Sequence, residues 1–154
     1  MSESTKIELP GGGTAWDPCF IGEKAVVGKK SNIGALCHIG ANVNIGEGVR
    51  IQGGAYIADG CTIEDQVFIG PNATLLNDRH PPSGGNWSPV HIAKEAVIGG
   101  GATVVAGVRI GKRAVLAAGG VASTDIPSDE VWSGVPAKFL MSRAEYDSRR
   151  TKNE

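Results

Sequence analysis

"IGALCHIGANVNIGEGVRIQGGAYIADGCTIEDQVFIGPNATLL" runs from Ile33 to Leu76. An aliphatic residue opens every sixth position: Ile33, Ile39, Ile45, Ile51, Ile57, Ile63, Ile69 and Leu75. The beat begins upstream at Ile21 and Val27, and it resumes downstream at Ile92, Ile98, Val104, Ile110 and Leu116. A second column lies four residues after each beat, as in Ala25, Ser31, Cys37, Val43, Val49, Ala55, Cys61, Val67 and Ala73. Nearly all of these are small or β-branched. Glycine often follows the beat, at Gly22, Gly28, Gly34, Gly40 and Gly46. A helix repeats near every 3.6 residues and a strand every 2, so neither explains this period. A short flat strand followed by a corner does. The beat residue and the small residue two positions before the next beat then point inward. Coils stack about 4.8 Å apart and bury one column on another, as in a solenoid.

The bulk properties agree with one such domain. The chain has 154 residues, 41% of them hydrophobic, with a formal net charge of -1. That composition argues against disorder and carries no basic footprint for nucleic acid. Aromatic residues make up 5% and there are 23 glycines, which suits a core of Ile, Val and Ala between tight corners. No apolar run is long enough to span a bilayer as a helix. Met1 to Pro10 lacks the basic start and apolar centre of a signal peptide. Three widely spaced cysteines, Cys19, Cys37 and Cys61, argue against a disulfide framework and fit a cytoplasmic chain. Cys37 and Cys61 fall in the inward column, as small core filler.

The beat fails once. Leu75 and Ile92 stand 17 residues apart instead of 6, so the chain is expected to leave the coil and return out of register. Pro81, Pro82, Gly84, Gly85 and Asn86 are loop residues, and long excursions from compact repeats are often functional. The expected organisation is a lead-in over 1–20, a β-helix over 21–127 with an excursion at 77–90, and a C-terminal segment over 128–154. The lead-in reads as irregular chain capping the first coil. Ser142-Arg143-Ala144-Glu145 fits a capping box, which predicts a short helix to Arg150 and a frayed tail from Thr151 to Glu154.

The pattern resembles the hexapeptide-repeat acyltransferases, whose fold is a left-handed parallel β-helix with three hexads to each triangular coil. Within that family, enzymes that acetylate amino sugars linked to a nucleotide carry an Asn-Asp-Arg/Lys-aromatic-Pro string in such an excursion. Asn77-Asp78-Arg79-His80-Pro81 resembles it, with His80 at the aromatic place. Enzymes that acetylate sugar hydroxyls carry a His-Pro pair with a catalytic histidine, and His80-Pro81 matches that too. The resemblance implies acetyl-CoA as donor, a sugar acceptor, and a homotrimer with sites between subunits. His80 is then the candidate base, a residue type suited to taking a proton in such a step. Asp78 could orient it, and Asn77 could bind the acceptor amine or the carbonyl oxygen. Arg79 could face a phosphate or carboxylate. His38 and His91, each just before a beat, are further substrate-binding candidates. Each of these side chains is otherwise an ordinary solvated loop residue.

On the donor side, related enzymes lay the coenzyme A arm along the coils after the loop. Gly99, Gly101, Ala117, Ala118 and Gly119 are matching small positions, where backbone can approach a ligand. "SGVPAKFL" (Ser133–Leu140) resembles the family's close, and Lys138 could meet a coenzyme phosphate, with Lys112 and Arg113 as alternatives. Otherwise these glycines are corner residues and these cations surface charge. Two other classes stay open. A zinc hydratase like the γ-type carbonic anhydrases needs three histidines around the metal; the chain has three, but their spacing differs from that family's, so no metal is expected. A non-catalytic β-helix would not need the polar string at the break.

Overall fold

Every beat residue closes a two-residue strand, as in Asn32–Ile33, His38–Ile39 and Asn44–Ile45. A computed structural model, which describes residues 3–152, stacks these strands into three sheets, one per side of a parallel β-helix. The first sheet carries Asn32–Ile33, Arg50–Ile51, Phe68–Ile69, Val97–Ile98 and Val115–Leu116 in parallel succession. The second carries Phe20–Ile21, His38–Ile39, Tyr56–Ile57, Thr74–Leu75, Thr103–Val104 and Val121–Ala122. The third carries Val26–Val27, Asn44–Ile45, Thr62–Ile63, His91–Ile92 and Arg109–Ile110.

Packing follows from this register. Ile39 sits on Ile57 and Ile57 on Leu75, so each beat residue buries itself against the same kind of residue one coil away. From Val27 to Leu116 the beat residues are 0–4% exposed. Burying one such aliphatic side chain stabilises by about 1.5–3 kcal/mol. The second column fills the remaining interior. Ser31 is its one polar member, and its hydroxyl donates to the Gly46 carbonyl and accepts from the Val49 N–H. Cys37 and Cys61 are buried free thiols in the same column.

Corners have a rule that glycine after the beat does not capture. The residue three positions past the beat lies in the left-handed region whatever its type. Lys24, Lys30, Leu36, Asn42, Gln66, Asn72, Glu95 and Arg113 do so with φ between 57° and 64°, and Gly101 and Gly119 do so with φ of 66° and 70°. The glycine directly after the beat has a different cause. A Cβ on Gly22 would run into the backbone of Gly40 and Ala41 in the next coil. Its role is close approach of layers.

The excursion returns in register, contrary to the sequence expectation. Thr62 and Ile63 pair with His91 and Ile92, so the third sheet continues unbroken. The extra chain is looped out at the corner between the second and third sheets. Ser88 to Val90 already belong to the coil. The Ser88 carbonyl accepts from Gly107 N–H at 2.7 Å, and Val90 fills the inward column at 1% exposure. The excursion therefore spans 77–87 rather than 77–90. A Cβ on Gly60 would meet the Pro89 ring at 2.9 Å, so glycine clears the coil below it.

Both ends are more regular than the sequence suggests. The lead-in forms a hairpin, Lys6–Glu8 against Thr14–Trp16, whose second strand pairs with Asn32–Ile33 and extends the first sheet. At the other end Glu130–Ser133 adds to Val115–Leu116, and Lys138–Ser142 folds back antiparallel. Helix α1 (Arg143–Lys152) follows. Ser142 Oγ accepts from the Glu145 N–H, while the Glu145 carboxylate pairs with Arg149 instead of closing the box. The helix includes Thr151 and Lys152, where fraying was expected; the rest of that tail, 153–154, lies outside the described residues. No helix of the described residues is long and apolar enough to cross a membrane.

Candidate active site

Asn77 begins the excursion by replacing a backbone bond. In regular coils the N–H of the left-handed corner residue donates to the coil before it, as Gly60 does to Ala41 and Asn42 to Glu23. At the break, Asn77 Nδ2 makes the corresponding bond to the Asp59 carbonyl at 3.1 Å. Its own carbonyl accepts from Ser88 N–H at 2.6 Å and closes the neck of the loop. Its Oδ1 takes no hydrogen bond from the described residues.

Asp78 serves the loop backbone. One carboxylate oxygen accepts from His80 N–H at 3.2 Å, the other from Ser83 N–H at 2.9 Å. Each oxygen thus holds a backbone N–H of the loop, and Asp78 makes no hydrogen bond to the His80 imidazole in this structure. Arg79 reaches across the later coils and donates to the carbonyls of Ala106, at 3.0 Å, and Ser123, at 3.5 Å. Its guanidinium clamps the excursion to the later coils where they leave the second sheet. His80 is exposed at the loop surface.

The other two histidines lie in different sheets. His38 stands on the outer face of the second sheet, between Phe20 and Tyr56, with ring centroids 4.6 Å apart on each side. His91 lies on the third sheet, its Nε2 3.0 Å from Glu64 Oε2. Among the described residues no group of three His, Cys, Asp or Glu side chains is placed to hold a metal ion. Glu64 is a neighbour that sequence reasoning missed. Its link to His91 spans the break, and it emerges only when Thr62 is paired with His91.

The donor-side positions do come together, in the corner between the first and second sheets. Gly101 N–H bonds to the Pro71 carbonyl and Gly119 N–H to that of Gly100, so the two stand one above the other. A Cβ on either would meet nothing within 4 Å. The left-handed angle alone does not require glycine, since Leu36 and Asn72 adopt it in the same corner. Glycine here leaves the edge of the later coils bare. Gly99 differs, since its Cβ would meet Ala118 in the next coil. The segment before Lys138 caps this corner: Val121 N–H bonds to the Gly134 carbonyl, and Ala137 N–H to that of Val121. Lys138 is exposed beside it. Arg113 is occupied elsewhere, by Glu95, Asp129 and Asp147. Lys112 lines a cleft of about 420 Å³ at the last coil of the third sheet, with Arg109, Asp125 and Ser128.

Comparison with known proteins places this geometry. Residues 42–77 match the family described as bacterial transferase hexapeptide (six repeats). Residues 24–58 and 89–121 match hexapeptide repeat of succinyl-transferase. A hexapeptide-repeat-containing acetyltransferase of Vibrio cholerae O1 biovar eltor, solved with acetyl coenzyme A, is 30% identical with a TM-score of 0.60 over 80% of this chain and 70% of that one. The chain belongs to the hexapeptide-repeat transferases. Two further acetyltransferases extend the likeness. A galactoside acetyltransferase in complex with coenzyme A is 28% identical, with a TM-score of 0.62 over 84% of this chain and 67% of that one. A Staphylococcus aureus 2,3,4,5-tetrahydropyridine-2,6-dicarboxylate N-acetyltransferase is 39% identical over 57% of this chain and 35% of its own length. This chain thus spans about a third of that curated relative. The stretch 78–88, which neither hexapeptide description matches, contains most of the excursion.

Proposed function

We propose that the chain is an acetyl-CoA-dependent acetyltransferase whose acceptor is the amine of a nucleotide-linked amino sugar. The observation that carries this is the ordered presentation of Asn77-Asp78-Arg79-His80-Pro81. Asp78 and Arg79 spend their charged groups on holding the loop, and the Asn77 Oδ1 and the His80 ring are left for a ligand. Relatives and neighbours named as acetyltransferases, two of them solved with acetyl-CoA or coenzyme A, support the reaction class.

In the reaction, the acceptor nitrogen attacks the thioester carbonyl, a C–N bond forms and the C–S bond breaks. The nitrogen loses a proton, which the His80 imidazole takes and passes to the departing sulfur, so that coenzyme A leaves as thiol. Asn77 Oδ1 accepts a hydrogen bond from the attacking amine and orients its lone pair. A sugar hydroxyl is a far weaker nucleophile and calls for a base held rigidly by a partner. Asp78, the nearest carboxylate in sequence, is committed to backbone N–H groups, which favours the amine over the hydroxyl. The bare edge at Gly101 and Gly119 would take the pantetheine arm, with Lys138 at a phosphate. This edge and the excursion lie at different corners of one chain, so a neighbouring copy in a homotrimer would complete each site.

The test is a panel of nucleotide-linked amino sugars, their hydroxyl counterparts and simple hexoses, each with acetyl-CoA, reading released thiol. Thiol release with the amino sugars is expected. Turnover confined to hydroxyl acceptors would replace this reading with an O-acetyltransferase.

A further inference from the structure

The outer face of the second sheet has a step in it. Phe20, His38 and Tyr56 are stacked rungs, with centroids 4.6 Å apart and planes within 15°. Both faces of the His38 ring are covered. The next residues along the same face are Thr74, Thr103 and Val121, all short. A threonine side chain ends well inside the reach of a phenol ring, so Thr74 cannot cover the outer part of the Tyr56 face, and Tyr56 remains 43% exposed. The face of Tyr56 is the riser, and Thr74, Thr103 and Val121 are the tread. The tread is bordered by both halves of the candidate site. On one side is the bare corner at Gly101 and Gly119; on the other is the excursion, clamped by Arg79 to Ala106 and Ser123.

We infer that Tyr56 is the stacking platform for the nucleobase of the acceptor, which adds a fourth rung to the ladder above Thr74; this rests on the nucleotide-linked acceptor proposed above. A planar heteroaromatic ring laid parallel to the rungs continues the spacing that the three side chains already hold. Stacking of this kind tolerates different bases, because every base presents a π-face. The acceptor's base is favoured over the coenzyme's adenine by position. Tyr56 belongs to the coil whose Asp59 carbonyl anchors Asn77, whereas Lys138 and the donor corner lie toward the other end. With its base on Tyr56, a nucleotide-linked sugar runs along the tread toward the excursion.

The experiment measures binding of UDP, GDP and coenzyme A by calorimetry to the full-length protein and to Tyr56→Ala and Tyr56→Phe. Tyr56→Ala is expected to weaken both nucleoside diphosphates by about 10- to 100-fold, a typical loss on removing one aromatic platform. Tyr56→Phe should retain their affinity, and coenzyme A should bind all three proteins alike. Nucleoside diphosphates that bind wild type and Tyr56→Ala equally would overturn this inference and leave the acceptor class standing. If neither binds wild type, both ideas fall together. An equal loss for coenzyme A would assign the platform to the donor. A change in particle mass on light scattering, with nucleotide affinity intact, would assign the ladder to contact with a second copy.

Discussion

Asn77 takes over a hydrogen bond that the backbone supplies at other corners of the helix, and this gives it two tasks. Its Nδ2 holds the coil below while its backbone carbonyl takes the Ser88 N–H and closes the neck of the loop. His80 has no such structural duty, so its substitution reads chemistry more cleanly. His80→Ala is expected to lower kcat about 10²-fold, the low end for a general base, because its imidazole is exposed and Asp78 does not steady it. Activity near wild type in a pH-rate profile would leave only positioning by Asn77. Cys61 marks the opposite environment. Burial pushes its thiol up to about 11, so the folded chain holds this proton more tightly than the unfolded one. The resulting stabilisation, on the order of 2–3 kcal/mol, is complete below about pH 8.5 and is lost as the pH rises toward 11. Urea midpoints of wild type should therefore approach those of Cys61→Ala between pH 8 and 11. A gap that stays constant over that range would contradict the assignment.

Among the elements, the two-residue strands are too short to be stable alone, and each depends on the coils above and below it. The excursion and helix α1 depend on arginine instead. Arg143 is buried at 7% side-chain exposure and donates to the Glu95 and Arg113 carbonyls at 3.1 and 2.7 Å, and to Asp147 at 2.9 Å. It fastens the helix across two coils at the corner between the third and first sheets. Arg143→Ala leaves two carbonyls and a carboxylate without this donor and should cost about 2–4 kcal/mol in urea unfolding. Arg143→Lys should recover only part of it, because an ammonium lacks the planar fork. A loss below about 1 kcal/mol for the alanine variant would mean that water replaces the side chain. Sequence reasoning found the helix through its Ser142 cap but not this fastening, since residues 95, 113 and 143 are neighbours only after coiling.

For the molecule as a whole, the β-helix is one continuous column of aliphatic side chains with a polar, stepped exterior. Phe20, Leu36, Val135, Phe139 and Leu140 remain exposed on that exterior, at 53–72%. Light scattering should give three times the chain mass, the state in which a bare donor corner of one copy can meet the excursion of another. A monomer at micromolar concentration would remove the shared site and require one chain to bind both substrates alone.

How much was legible follows from the range of each interaction. The six-residue beat, both inward columns and the place of the break are local patterns, and they suffice for a β-helix with an excursion after Leu75. Inward packing demands the same residue types in every coil, so the demand is written as periodicity. The rest joins residues separated by one or more coils, and no period encodes it. The return of Ile92 onto Ile63, the shortening of the excursion to 77–87, the reach of Arg79 to backbone carbonyls of later coils, and the pairing of His91 with Glu64 were all decided by stacking. The step at Tyr56 lies between the two: Phe20, His38, Tyr56 and Thr74 recur every 18 residues, one per coil, but only stacking of the coils brings the three rings face to face and leaves the Tyr56 face open over a shorter side chain.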